Sequence, residues 1–133
     1  MLAAPLMVIP FVLYNIAVFE FLGGGVTALD NAIVSATLPS AALWNLSLGE
    51  VFLLIGLAVL FIDILKATHN SAVSLLSHTL SLLVFVAFLV EFLLVDSAAT
   101  RIFFILTAIA FIDVAGGLAV SARNAGRDVA IGL

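Results

Sequence analysis

Long uninterrupted apolar runs dominate the pattern of hydrophobic and polar positions along the chain. Each run has 17 to 24 residues, close to the roughly 20 that a helix needs to cross the hydrocarbon core. Such runs are too long for barrel strands, and no alternation with polar residues occurs in them. The pattern predicts an all-α membrane protein, one integral membrane domain over residues 1–133 with four transmembrane helices at about 6–22, 48–67, 72–95 and 102–122.

The outer connection at 23–47 is long for a link between helices, and it is itself fairly apolar. The letters TALD at 27–30 are typical of a helix N-cap and predict a short helix through about Thr37. Because ten residues cannot cross a membrane, we expect a short interfacial helix, with Trp44 at the level of the headgroups. The letters SLGE at 47–50 then predict a capping box at the start of the second transmembrane helix.

Composition narrows the class of protein. Of the 133 residues, 65% are hydrophobic and 9% are charged, whereas soluble domains have about 25% charged residues, so the lipid bilayer is the expected partner of most of the surface. The chain has no cysteine, which excludes disulfides and thiolate chemistry. Its four Lys and Arg residues form no basic stripe, so we expect no nucleic acid partner.

The few positive charges predict the orientation in the membrane. With a cytoplasmic N-terminus, the cytoplasmic side carries Lys66, Arg123 and Arg127, and the opposite side carries Arg101. Cytoplasmic loops are enriched in Lys and Arg. We therefore predict a multi-pass protein of the cell (inner) membrane with cytoplasmic N- and C-termini and an outward-facing connection at 23–47.

Two pairs of similar segments indicate an internal repeat. The letters LFIDI at 60–64 return as AFIDV at 110–114, and EFL at 20–22 returns at 91–93. This alignment predicts two parallel-repeat helical hairpins within a four-helix bundle. Chance matches are common among the apolar letters of so biased a sequence, so only the acidic letters give the alignment weight.

Acidic residues inside the apolar runs are the candidates for chemistry. An ionised carboxylate within the membrane costs roughly 2.5 to 3.5 kcal/mol, so it normally faces protein or water and finds a partner. The repeat places Asp63 and Asp113 at one depth and Glu20 and Glu91 nearer the outer face, and all four are proton- or ion-coupling candidates. An ion pair with Lys66, three residues on, is the competing interpretation for Asp63. Asp113 has no basic residue within a turn.

Small residues mark the faces on which the second and fourth helices are expected to pack. On the second helix, small and polar residues recur at seven-residue spacing: Gly49, Gly56, Asp63 and Asn70. On the fourth, the face of Asp113 carries a second stripe: Ala110, Gly117 and Ser121. We predict Gly56, Gly117 and Ser121 as helix-packing residues. If the two faces meet, the two carboxyl groups meet as well and hold one proton between them.

The third helix has a polar face in its cytoplasmic third: Ser74, Ser77, His78 and Ser81. His78 reaches the depth of Asp63 and is a further proton- or ion-coupling candidate, as a relay. As a haem ligand it lacks a second histidine at matching depth. A metal site that joins it to the two aspartates has no sequence spacing to favour it. We therefore expect no cofactor and no metal.

No catalytic signature is present, because the chain lacks a phosphate loop, HExxH, GxSxG and a dinucleotide fingerprint. We expect no enzymatic activity. The leading hypothesis is a non-enzymatic accessory or assembly subunit of a membrane complex, or a homo-oligomer, with other membrane subunits or copies of itself as partners. The alternative is a small proton- or cation-coupled transporter or channel that uses the intramembrane carboxyl groups. A third hypothesis is a quinone- or haem-binding redox subunit.

Overall fold

The computed structural model describes residues 5–19, 25–69 and 75–130. This part of the chain is mostly helical, as expected for an all-α class. Its helices are α1 (Val8–Val18), α2 (Leu48–His69), α3 (Leu75–Leu94) and α4 (Arg101–Ala130). Three of them are long and apolar enough to cross a membrane, over Leu48–Lys66, Ser77–Leu94 and Arg101–Val120.

The first apolar run forms the shorter helix α1. Its 11 residues extend for about 17 Å at 1.5 Å per residue, less than the thickness of the hydrocarbon core. The predicted continuation at 20–22 lies outside the described residues. The fourth membrane crossing therefore remains a prediction.

The helix α4 packs along both α2 and α3. An aromatic cluster joins α1, α3 and α4, because the ring of Phe88 lies 4.9 Å from that of Phe11 and 5.3 Å from that of Phe103, centroid to centroid. Tyr14 lies 4.7 Å from Phe103 on the same scale. Tyr14, Phe88 and Phe103 are the largest fully buried side chains of the described core, and their burial holds α1 against the other helices.

The start of α2 and the end of α4 test the predicted helix boundaries. The capping box is confirmed, because the Ser47 N–H donates to Glu50 Oε1 at 2.9 Å and the Glu50 N–H donates to Ser47 Oγ at 3.3 Å. The helix α4 continues past the apolar run at 102–122 to Ala130, while its segment of membrane-spanning length is Arg101–Val120. No proline interrupts this segment, and a lone glycine such as Gly126 costs about 1 kcal/mol in a helix without ending it.

The outer connection contains a β-hairpin, so the predicted short interfacial helix is wrong. A 3₁₀ turn at Gly25–Asp30 is followed by the antiparallel strands β1 (Ala32–Thr37) and β2 (Leu43–Ser47). Residues 27–30 lie inside this 3₁₀ helix, and the chain leaves it for β1 instead of continuing as an α-helix. The following residues include β-branched Ile33 and Val34, which favour a strand. Ala41, with φ of 69°, closes the turn between the strands.

Candidate functional site

Glycines bring α2 and α4 into close contact. A Cβ atom built on Gly49 would lie 2.8 Å from Ile102 Cγ1, and one on Gly56 would lie 3.0 Å from Leu106 Cδ2. Both distances are shorter than an ordinary van der Waals contact, so a Cβ atom at either position would force Ile102 or Leu106 to shift, and glycine allows this approach without that shift. The helices pack with residues of α2 opposite residues about fifty positions later in α4.

This register brings Asp63 and Asp113 together. Their carboxyl groups lie close enough to interact directly with each other. Asp113 is 7% exposed, and the Asp63 side chain is 12% exposed. An ionised carboxylate has acceptors only, so a hydrogen bond between two carboxyl groups requires one of them to carry a proton. A hydrogen bond across this contact would therefore share one proton between two segments long enough to span a membrane.

Lys66 supplies the positive charge of this site. Its Nζ lies 3.6 Å from Asp63 Oδ1. One carboxylate, one carboxylic acid and one ammonium group together carry no net charge. The burial of the carboxyl pair is thus balanced as long as the shared proton stays in place.

His78 approaches the same region from α3. A Cβ atom on Gly117 would lie 3.8 Å from His78 Cε1 and 3.9 Å from its Nδ1, so the imidazole covers this glycine. Gly117 follows Asp113 by four residues, which is about 6 Å along the helix axis. The structure therefore places His78 about one turn from the carboxyl pair. Ser121 belongs to α4, but its side chain lies outside the described part of the chain.

Glu91 lies apart from these residues, near the other end of the bundle. It precedes the end of α3 by three residues, whereas Asp113 is 12 residues, or about 18 Å, past the start of α4. Asn15 of α1 hydrogen-bonds to the Glu91 carboxyl group. The second oxygen, Oε2, is buried without a hydrogen-bond partner among the described residues. Glu20, the predicted companion of Glu91, lies outside the described residues.

An open apolar groove runs beside Glu91. It has a volume of about 550 Å³ and is lined by one helix face of α1 together with Glu91: Phe11, Val12, Asn15, Ile16 and Phe19. The polar groups that line it are the Glu91 carboxyl group and the Asn15 amide group. The structure thus separates the predicted acids into a deep pair and an outer single carboxyl group.

Sequence reasoning missed a polar contact that fixes α1. The Tyr14 hydroxyl lies 2.8 Å from the Ser97 carbonyl oxygen, to which it donates, and 2.7 Å from Thr100 Oγ1. Thr100 Oγ1 also accepts from the Phe103 N–H at 3.1 Å and so caps the start of α4. The signal was present in the sequence, because a buried tyrosine within an apolar run needs a partner for its hydroxyl.

Over residues 5–19, 25–69 and 75–130, no group of three or more His, Cys, Asp or Glu side chains is arranged to hold a metal ion. Comparison with protein-family models, with curated proteins and with solved structures finds no match.

Proposed function

We propose that this protein is a multi-pass protein of the cell (inner) membrane, with α1 as part of a fourth span and both termini in the cytoplasm. Three long apolar helices support this proposal. The large apolar side chains that they expose also suit lipid contact, among them Leu54, Phe61, Leu83 and Phe104. The distribution of Lys and Arg supports the orientation.

The orientation is testable on a chain without background labelling, because it contains no cysteine. Asn45→Cys places a thiol on the hairpin, and Arg123→Cys places one in the last part of α4. A membrane-impermeant maleimide should label Asn45→Cys on intact cells and Arg123→Cys only after the membrane is opened. The opposite result would show that the orientation is reversed.

Within this membrane protein, we propose that Asp63 and Asp113 form the coupling site of a small proton- or cation-coupled transporter or channel. The observation that supports the proposal is the direct contact of two largely buried carboxyl groups, which lie close enough to share a proton. Packing alone gives no reason for the acids, since Gly49 and Gly56 already allow close contact and apolar side chains would fill the same space without a desolvation cost.

The site suggests how ions are exchanged. When the shared proton leaves, two carboxylates face the single ammonium group of Lys66. Their repulsion then favours uptake of a proton or a monovalent cation from the nearest water. His78, one turn along from Asp113, is placed to relay protons towards the cytoplasmic end of the bundle.

Proton flux into vesicles tests this function. The purified protein is reconstituted into liposomes that contain a pH-sensitive dye, and a proton gradient is applied in the presence of different monovalent cations. Wild-type protein should dissipate the gradient, whereas Asp113→Asn, which keeps the shape and a hydrogen bond to Asp63, should fall to the level of empty vesicles. Glu91→Gln is the matched control and should retain flux. Equal flux in Asp113→Asn and wild type would remove the carboxyl pair from the mechanism.

A second candidate function is an accessory or assembly subunit of a membrane complex, or a homo-oligomer. The observation that favours it is the exposure of α3, of whose spanning window 6% is buried, against 33% for α4. Other subunits or further copies of the chain would cover this surface. Cross-linking in native membranes, followed by purification in mild detergent, should then recover a larger assembly. A monomer without partners in both experiments would rule out this role.

A further inference from the structure

The β-hairpin of the outer connection has two chemically different faces. Residues that pair across antiparallel strands point to the same side, and successive residues alternate between sides. The pairs Val34 with Leu46 and Ala36 with Trp44 therefore form one apolar face. The other face carries the polar residues Ser35, Thr37 and Asn45, together with Leu43 beside the turn. Ile33 lies at the register shift that separates this pattern from the base of the hairpin.

Protein does not cover the apolar face within the described chain. Val34 is 45% exposed and Trp44 is 44% exposed. A two-stranded hairpin is marginally stable in water on its own. Burial of this face against another apolar phase would therefore stabilise the fold of the outer connection.

The lack of charged residues in the hairpin indicates which apolar phase covers this face. From Asn31 to Gly49 the sequence contains no charged residue, so the hairpin offers no ion pair to a protein partner. Exposed edge strands normally carry charges that prevent pairing with other chains, and this hairpin has none. A tryptophan on an uncharged apolar face is typical of a segment at the membrane–water interface.

The position of the hairpin next to α2 also favours the membrane as the phase that covers the apolar face. β2 ends at Ser47, and the span of α2 begins at the next residue. The Leu48 N–H donates to the Asn31 carbonyl oxygen at 2.9 Å, which ties the base of the hairpin to the start of α2. The apolar face thus begins where the membrane-spanning segment begins, and strands of five and six residues extend it by about 17 to 20 Å.

We propose that the face formed by Val34, Ala36, Trp44 and Leu46, the apolar hairpin face, lies on the outer leaflet of the bilayer, with lipid as its occupant. The polar face, with Ser35 and Asn45, then points to water. This proposal rests on the membrane embedding proposed above and is independent of the carboxyl pair. The uncharged hairpin then anchors the start of α2 at the level of the headgroups.

Trp44 is the only tryptophan of the chain, so its fluorescence reports on this face without substitution. The full chain is reconstituted into phosphatidylcholine vesicles that contain a lipid spin-labelled on the headgroup or near the end of the acyl chain. We expect the headgroup label to quench Trp44 several-fold more strongly than the chain-end label, and acrylamide in the water to quench it weakly. Strong quenching by acrylamide with no effect of either lipid label would overturn the proposal.

A matched pair of variants tests the two faces. Val34→Asp adds a charge to the apolar hairpin face, and Ser35→Asp adds the same charge one residue later on the polar face. We expect Val34→Asp to raise the quenching by acrylamide and lower that by the headgroup label, and Ser35→Asp to leave both unchanged. Equal effects of the two variants would contradict the assignment of the faces.

Three outcomes separate this proposal from its alternatives. If Trp44 becomes accessible to acrylamide only when the protein is diluted in lipid, a second copy of the chain covers the face and the lipid assignment is wrong. If the wild-type protein is extracted from vesicles by alkaline carbonate, the membrane embedding itself is wrong. A protein that resists extraction but exposes Trp44 to water would disprove the lipid contact of the hairpin alone.

Discussion

Asp113 lies deep between α2 and α4 with the carboxyl group of Asp63 as its partner, whereas Glu91 lies near the outer end of α3 beside an open groove. The deep carboxyl group has another carboxyl group and, through Asp63, an ammonium group within reach. The outer one has an amide partner for its carboxyl group and one buried oxygen without a partner among the described residues. The two regions thus contain the same functional group, a carboxyl group, with different charged and polar neighbours.

The two sites show two ways in which an apolar helix bundle holds a carboxyl group. At the deep site, the proposed shared proton and Lys66 would balance the charge of the carboxyl groups, so that loss of either would change the charge of the whole site. At the outer site, no second ionisable group among the described residues contacts Glu91 by a hydrogen bond. We therefore expect replacement of the acid by leucine to lower stability at the deep site, and to raise stability or leave it unchanged at the outer site.

The largest effect is expected from a substitution that separates α2 from α4. In Gly56→Leu, the new side chain would start 3.0 Å from Leu106 Cδ2 and extend into α4. Overpacking of this kind costs about 1 to 3 kcal/mol or more, and it also parts the two carboxyl groups. Thermal unfolding in detergent should show a clear loss of stability, together with loss of proton flux.

Gly116→Leu is the control for Gly56→Leu. A Cβ atom at Gly116 would lie 4.0 Å from Ile64 Cγ1, an ordinary contact on the same pair of helices. We expect a smaller loss of stability from this variant. If both leucine variants lose the same stability, close approach at Gly56 is not what holds α2 to α4.

The next effect is a difference in sign between the two acidic sites. Asp113→Leu removes the carboxyl partner of Asp63 and leaves it with the ion pair to Lys66 at 3.6 Å, so the lost interaction of a largely buried polar group should cost about 1 to 3 kcal/mol. Glu91→Leu instead removes a buried oxygen that has no partner among the described residues. Asn15 loses its contact with Glu91 but keeps its hydrogen bond to the Phe11 carbonyl oxygen at 2.9 Å, so stability should rise or stay unchanged. Unfolding of the two leucine variants under the same detergent conditions compares them directly. Destabilisation of equal size at both sites would show that the sites do not differ.

Parts of this architecture are readable from sequence because they depend on local composition. Apolar runs of spanning length predict the helices, and the SLGE letters at 47–50 predict the cap at the start of α2. The spacing of Gly49, Gly56 and Asp63 also indicates the face of α2 that meets α4, since small residues permit close packing.

Other parts depend on contacts between distant residues. The hairpin forms because β1 pairs with β2, and the local cap signal at 27–30 carries no information about that pairing. The hydroxyl of Tyr14 finds its partners 83 and 86 residues later in the chain. Sequence shows that such a hydroxyl needs a partner, but only the packing of α1 against the α3–α4 connection selects Ser97 and Thr100.

A smaller effect is expected at the outer end of the bundle, from Tyr14→Phe. The phenylalanine keeps the aromatic packing against Phe103 but removes the hydrogen bonds to Ser97 and Thr100. A typical hydrogen bond contributes about 0.5 to 1.5 kcal/mol net, so a comparable loss of stability should appear in thermal unfolding. In a double-mutant cycle with Thr100→Val, the two losses should be less than additive, because both variants remove the same bond. Additive losses would show that the tyrosine and threonine hydroxyls do not interact.

The smallest effect on stability is expected from Lys66→Gln. The Lys66 side chain is 40% exposed, and its Nζ lies 3.6 Å from Asp63 Oδ1, so solvent screens the pair and removing it should cost less than about 1 kcal/mol. The effect on ion exchange should be larger, because loss of the ammonium group leaves nothing to offset the second carboxylate when the shared proton departs. Proton flux should therefore fall while the unfolding temperature stays close to that of wild type. If flux and stability are both unchanged, Lys66 is a surface ion-pair partner of Asp63 with no part in exchange, and the two carboxyl groups alone form the deep site.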